Sequence, residues 1–125
     1  MSLLEPWRAL LEKGLTTWPE HPEPSRSDCH AWSAHPALDL LRIVAGIRPA
    51  TPGFRAVRVE PHLGPLQHVE AAMPTPQGEI AVAYRRSGDA GLAAEVTLPA
   101  GVSGVFVWRG RAHDLHGGTQ RLDLN

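Results

Sequence analysis

Gln77-Gly78-Glu79-Ile80-Ala81-Val82-Ala83-Tyr84-Arg85-Arg86-Ser87-Gly88-Asp89 decides the fold class of this chain. Ile80, Val82 and Tyr84 alternate with Ala81, Ala83 and Arg85, a period of two that turns one face of a strand toward a core. Turn residues bound the run on both sides, at Gln77-Gly78 and Ser87-Gly88-Asp89. Similar short runs lie on either side of it: Phe54, Val57 and Val59 around Arg55 and Arg58, then Leu92 to Leu98, Val105 to Trp108 and Arg121 to Leu124. Gly64-Pro65, Pro99-Ala100-Gly101, Arg109-Gly110 and Gly117-Gly118 punctuate them. Short strands at this spacing predict an antiparallel β-sandwich over residues 47–125.

Upstream of Gly46 the period changes. Leu4, Trp7, Leu10 and Leu11 form one helical stripe, and Gly14 after Lys13 is a stop signal. Three prolines and no periodicity make residues 14–27 a loop. A second helix, capped by Ser27 or Asp28, carries Leu38, Leu41, Val44 and Ala45 on one side and ends at Gly46. Pro36 either kinks this helix or marks the first turn of a shorter one. The chain therefore divides into 1–46, two short helices with an intervening loop, and 47–125, the sandwich. Two such helices cannot bury their own stripes, so the stripes are expected to pack on the sandwich, on a partner, or on something missing from the chain.

Composition removes several functions. The 12 basic and 13 acidic residues of this 125-residue chain leave a net charge of -1, which gives no electrostatic footprint for nucleic acid or an anionic membrane. No apolar run approaches the roughly 18 residues of a membrane span. Met1-Ser2-Leu3-Leu4 lacks the basic and apolar regions of a signal peptide. Cys29 is the single cysteine, so no intramolecular disulfide is expected.

Polar and aromatic groups concentrate in residues 16–36, which hold three of the seven histidines and two of the four tryptophans. His21, Cys29, His30 and His35 could be set out as metal ligands, but their spacing does not converge on four donors, and no metal or cofactor is expected. Ser33 lies outside any nucleophile elbow and Cys29 lacks a basic cluster to activate it. Glu20 is different. It follows Pro19 and Trp18, and a carboxylate near aromatic walls suits glycoside chemistry, in which it activates water while aromatic faces hold the sugar. Glu23, Asp28 and Asp39 lie nearby and compete for the role.

Three ordered segments then carry a resemblance: Thr16-Thr17-Trp18-Pro19-Glu20, Ser27-Asp28-Cys29-His30-Ala31-Trp32-Ser33-Ala34, and Val44-Ala45-Gly46-Ile47-Arg48-Pro49. With Pro52 to Pro61 and Pro74 to Ile80, they resemble the C-terminal part of bacterial α-L-rhamnosidases. The resemblance implies a large glycoside hydrolase with an (α/α)6 barrel followed by a C-terminal β-sandwich. It also implies inverting removal of terminal α-L-rhamnose from a rhamnose-containing glycoside. By the same likeness Glu20 takes the place of the general base in a Thr-Thr-x-x-Glu motif, and His30 that of a sugar-binding histidine with Trp32 beside it. The chain departs from the family at Pro19, where an aromatic residue is frequent, and at Cys29, where Asn is common. Inversion needs a second carboxyl roughly 6.5–9.5 Å from the first, and the family's general acid lies in upstream barrel helices. The expectation is a C-terminal fragment that is inactive in isolation and able to dimerise through its exposed helical stripes. A non-catalytic carbohydrate-binding or structural module, with Trp18, Trp32 and Trp108 as stacking faces, is the alternative.

Overall fold

The computed structural model describes residues 4–21, 24–88 and 90–125. The turn residue Asp89 and the competing carboxylate Glu23 lie outside the described residues. The chain forms two compact units, one reaching to Asp39 and the other spanning Leu40–Asn125.

In the first unit, helix α1 runs over Glu5–Glu12, with a proline in its first turn and an acidic residue at its positive end. Gly14, at φ 76°, closes it. Its N–H donates to the Leu11 carbonyl at 2.9 Å, and the Leu15 N–H reaches back to Leu10 at 3.2 Å. This pair of bonds is the Schellman stop that a left-handed glycine permits. An irregular segment follows, then a 3-10 turn at Ala31–Ala34 and helix α2 at His35–Asp39. Pro36 sits in the first turn of α2, a position that tolerates its missing N–H. The expected cap at Ser27 or Asp28 is not formed. The Ser27 hydroxyl donates to the Cys29 carbonyl at 3.2 Å, and the residue preceding the first turn is His30, which makes no side-chain cap.

The second unit begins with a π-helical turn at Leu40–Val44, closed by the Ala45 N–H on the Leu40 carbonyl at 2.9 Å. Eight strands follow: β1 Ile47–Pro49, β2 Ala56–Val59, β3 His68–Thr75, β4 Gly78–Ser87, β5 Gly91–Leu98, β6 Ser103–Trp108, β7 Arg111–Leu115 and β8 Gly118–Leu124. They make two four-stranded sheets, ordered β1-β2-β6-β7 and β3-β4-β5-β8. Six of the strand neighbours can be antiparallel in this order, and five are; β2 and β6 run parallel, with Ala56 opposite Ser103 and Val59 opposite Phe106. The result is the β-sandwich expected from the alternating runs, with short helical turns ahead of it.

Alternation sets the core. Ile80, Val82 and Tyr84 of β4 are buried, and so are Leu92, Val96 and Leu98 of β5. From the other sheet Ile47, Val57, Val59 and Phe106 join them. Tyr84 and Phe106 meet edge to face at 6.0 Å, a favoured geometry for aromatic rings. The buried Tyr84 hydroxyl donates to the Ala45 carbonyl at 2.8 Å, so its polar end is satisfied. Next to it Gly46, at φ 77°, lies so close to the Glu60 backbone that any β-carbon would collide with the Glu60 carbonyl. Of the predicted apolar helix positions, Leu41 packs on this core and Ala45 is buried, whereas Leu38 is exposed, as are Leu40 and Ile43.

Candidate active site

Backbone pairing organises the described residues between Thr16 and His30. The Glu20 N–H donates to the Ser27 carbonyl at 2.8 Å, and the His30 N–H to the Trp18 carbonyl at 2.7 Å. These bonds lay residues 18–20 beside residues 27–30. The Thr17 hydroxyl adds a bond to the Asp28 carbonyl at 2.6 Å. Ser33 is the hub beneath them. It is buried, its hydroxyl donates to the Pro19 carbonyl at 2.6 Å, and its own carbonyl accepts the Trp7 indole N–H at 2.8 Å. A buried hydroxyl satisfied in this way fixes the carbonyl one residue before Glu20.

These ties produce a cleft of about 260 Å³. Pro6, Trp7 and Leu10 of α1, with Lys13 just after it, form one wall, and Pro19, Glu20, His21, Trp32 and Ser33 form the other. Glu20 and Trp32, two of the residues singled out from the sequence, therefore share one cavity. His30 stands behind Trp32, its ring edge-on to the indole at 6.0 Å. Trp32 is 58% exposed and so presents an open aromatic face. His35 holds this arrangement from below: its Nδ1 lies 2.9 Å from the Trp32 carbonyl, and its ring meets Trp7 edge-on at 5.5 Å.

The Glu20 carboxylate is 16% exposed, and both its oxygens are held by Arg26. The guanidinium Nε donates to Oε2 at 2.9 Å while Nη2 takes Oε1. This bidentate geometry is the strong form of a carboxylate–arginine pair. Arg26 itself is 79% exposed, however, so solvent screens the pair and it contributes only ~0–1 kcal/mol. The site has a carboxylate on an aromatic-walled cleft, covered by a cation that can leave at small cost. Sequence reasoning did not identify Arg26, Trp7 or Ser33 as parts of the site. Arg26 lies six residues from Glu20 with no sequence motif that joins the two, and the spacing of Trp7 places it in a packing stripe.

Elsewhere the candidates are engaged. The Trp108 indole donates to the Ala90 carbonyl at 3.2 Å and packs against the sandwich core, which leaves it half-buried. Among the described residues, no three His, Cys, Asp or Glu side chains converge as a metal site. Cys29 is exposed.

Comparison with known proteins bears on this geometry. An α-L-rhamnosidase from Alteromonas sp. (strain LOR) is 35% identical over 65 residues, covering 51% of this chain and 7% of that protein. The native α-L-rhamnosidase of Aspergillus terreus superposes over 95% of the chain with a TM-score of 0.81 at 20% identity. The Streptomyces avermitilis α-L-rhamnosidase complexed with L-rhamnose superposes over 95% with a TM-score of 0.76 at 16% identity. The chain spans 16% and 15% of those two structures. At such identities the structural likeness establishes the fold. The sequence pattern of the bacterial alpha-L-rhamnosidase C-terminal domain matches residues 46–122, more than half of the chain. The chain therefore belongs to the bacterial alpha-L-rhamnosidase C-terminal domain family.

Proposed function

We propose that the chain is the C-terminal part of an inverting glycoside hydrolase that removes terminal α-L-rhamnose. In this reading residues 1–46 are the last helices and active-site loop of a helical barrel, and residues 47–125 are its C-terminal sandwich. Glu20 is the general base, His30 and Trp32 contact the sugar, and the general acid is supplied by a part of the longer protein outside these residues. The observation that carries the reading is the cleft shared by Glu20 and Trp32, which a carboxylate and an exposed indole line together. An apolar sugar face stacks on such an indole while a carboxylate beside it draws a proton from water. Arg26 must first swing off the Glu20 oxygens, after which one of them is free to accept that proton. The exposed Leu38, Leu40 and Ile43 would then face neighbouring barrel helices.

One carboxylate cannot perform both proton transfers of an inverting displacement, so the 125-residue chain alone should not turn over substrate. The test uses a polypeptide extended upstream through the barrel, assayed on an aryl α-L-rhamnoside. Glu20→Gln should lower kcat by about 10²–10⁴-fold, the usual contribution of a general base. Activity near that of the unsubstituted protein would remove Glu20 from the role. The open face of Trp32 favours a second reading, a non-catalytic carbohydrate-binding module. Rhamnose binding by the isolated chain that vanishes in Trp32→Ala, together with an inactive extended protein, would select it.

A further inference from the structure

The outer face of the β3-β4-β5-β8 sheet is lined by side chains that the core and the cleft leave unused. Strand register arranges them in rows. In one row Glu70 of β3, Ala83 of β4, Glu95 of β5 and Arg121 of β8 lie side by side. The next row holds His68, Arg85, Ala93 and Asp123 in the same strand order. The face is hollowed over its alanines, with an open depression of about 270 Å³ bounded by these two rows. No Trp, Tyr or Phe lies in either row, so the face lacks the broad stacking surface that a sugar would use.

We propose that this face docks a second copy of the same chain, face to face, about a twofold axis parallel to the strands. Such an axis carries β3 onto β8 and β4 onto β5 while keeping each row at its own level. Glu70 then meets the second copy's Arg121, and His68 meets the second copy's Asp123. On the inner strands every long side chain finds a small one. Arg85 lies over the second copy's Ala93, and Glu95 over the second copy's Ala83. The row beyond obeys the same rule, since Ala72 and Ala81 fall opposite Thr119 and Thr97. No like charges are directly opposite in any of the three rows, and the symmetry-related Arg85 pair and Glu95 pair are each offset by one strand. This self-complementarity is what an isologous interface requires. Within one copy Arg121 already binds Glu95 at 2.7 Å, and His68 lies 3.0 Å from Glu70. Pairing across the axis extends these two contacts into a network.

The dimer should be weak. Four strands at about 4.8 Å spacing and three rows at about 6.8 Å give roughly 400 Å² of face per copy, about half that of a standard interface. Association on so small a face is therefore weak and reversible, and its ion pairs make it fall with salt.

Sedimentation equilibrium of the 125-residue chain, run from micromolar to millimolar concentration at low and high NaCl, tests the proposal. A reversible dimer that dissociates as salt rises is expected. Glu70→Arg and Arg121→Glu should each weaken it by roughly tenfold or more, because symmetry repeats every repulsion twice. An equimolar mixture of the two variants restores both ion pairs and should dimerise like the unsubstituted chain. Ala93→Arg, which touches neither ion pair, should also block association by filling the seat of Arg85. Far-UV circular dichroism checks that each variant keeps its strands. If a charge variant loses them, the salt series and Ala93→Arg decide. A monomer at every concentration would overturn the proposal. So would a dimer that strengthens with salt and ignores all three substitutions, a result that would place association on the exposed Leu40 and Ile43.

Discussion

The two units of this chain hold themselves together by different means. In Leu40–Asn125 every strand contributes at least one buried side chain, and the two sheets enclose one continuous apolar core. Among the described residues up to Asp39, only Pro19 and Ser33 are buried, and the order of the loop rests on hydrogen bonds and ring contacts. Apolar burial contributes about 25 cal/mol per Å² whatever the direction of contact, whereas a single hydrogen bond adds a net ~1 kcal/mol and depends on its partner staying in place. Stability therefore belongs to the sandwich, whereas the chemistry proposed above would fall to the loop. The residues proposed for catalysis lie on the part of the chain that is least able to hold its own shape.

The strongest way to sharpen this contrast is Phe106→Ala. The ring is fully buried between the sheets and packs on Tyr84, so its loss should cost about 3–5 kcal/mol and lower the denaturant midpoint of the cooperative transition. A loss below ~1 kcal/mol would mean that the core does not carry the unit.

Tyr84→Phe is the next in size. At neutral pH it removes the bond to the Ala45 carbonyl and should cost about 1 kcal/mol, or somewhat more for the acceptor left buried. Its signature is in alkali. Burial pushes the Tyr84 hydroxyl far above the ordinary phenol range, so the folded chain keeps that proton after the unfolded chain has released it. The stability from this group is intact below about pH 10 and falls as pH rises beyond it. Urea midpoints measured between pH 8 and 11 should fall for the unsubstituted chain and stay flatter for the variant. Parallel curves would show that Tyr84 does not titrate with unfolding.

Ser33→Ala should have the smallest effect on global stability. The midpoint of the sandwich should move by less than about 0.5 kcal/mol, while amide exchange at Glu20 and His30 speeds up as the Pro19 carbonyl is released. A full shift of the main transition would break the contrast, because it would tie the loop's order to the sandwich's.

How much of this was legible in the sequence follows the same division. β4 and β5 announce themselves, since each inward position is apolar and each end carries a turn residue. β7 does not, because only His113 and Leu115 face inward and its identity comes from pairing with β6. The parallel β2–β6 pair has no local signal at all, as Ala56 and Ser103 become neighbours only through the sheet. In the loop, Glu20 and Trp32 are recognisable as residue types, but the aromatic lining beside Glu20 comes from Trp7 and Trp32 rather than from the adjacent Trp18. The cover of Arg26 was not legible, nor was the Trp7–Ser33 bond, which joins residues 26 positions apart. The capping role expected of Ser27 failed because its carbonyl and hydroxyl are committed to Glu20 and Cys29.

The parallel pairing of β2 with β6 also constrains the order in which the molecule can assemble. A parallel neighbour cannot arrive by a hairpin, so the chain must first travel out through β3, β4 and β5 and return. The β3-β4-β5 meander closes on short turns and can form early, while the first sheet has to wait for two segments that begin as strangers. Loop closure over that distance is unfavourable until the contacts that reward it exist, which places such topologies among the slower folders. During that interval β2 carries an unpaired edge. The time spent finding β6 is therefore the period in which this chain is most open to pairing with the wrong strand.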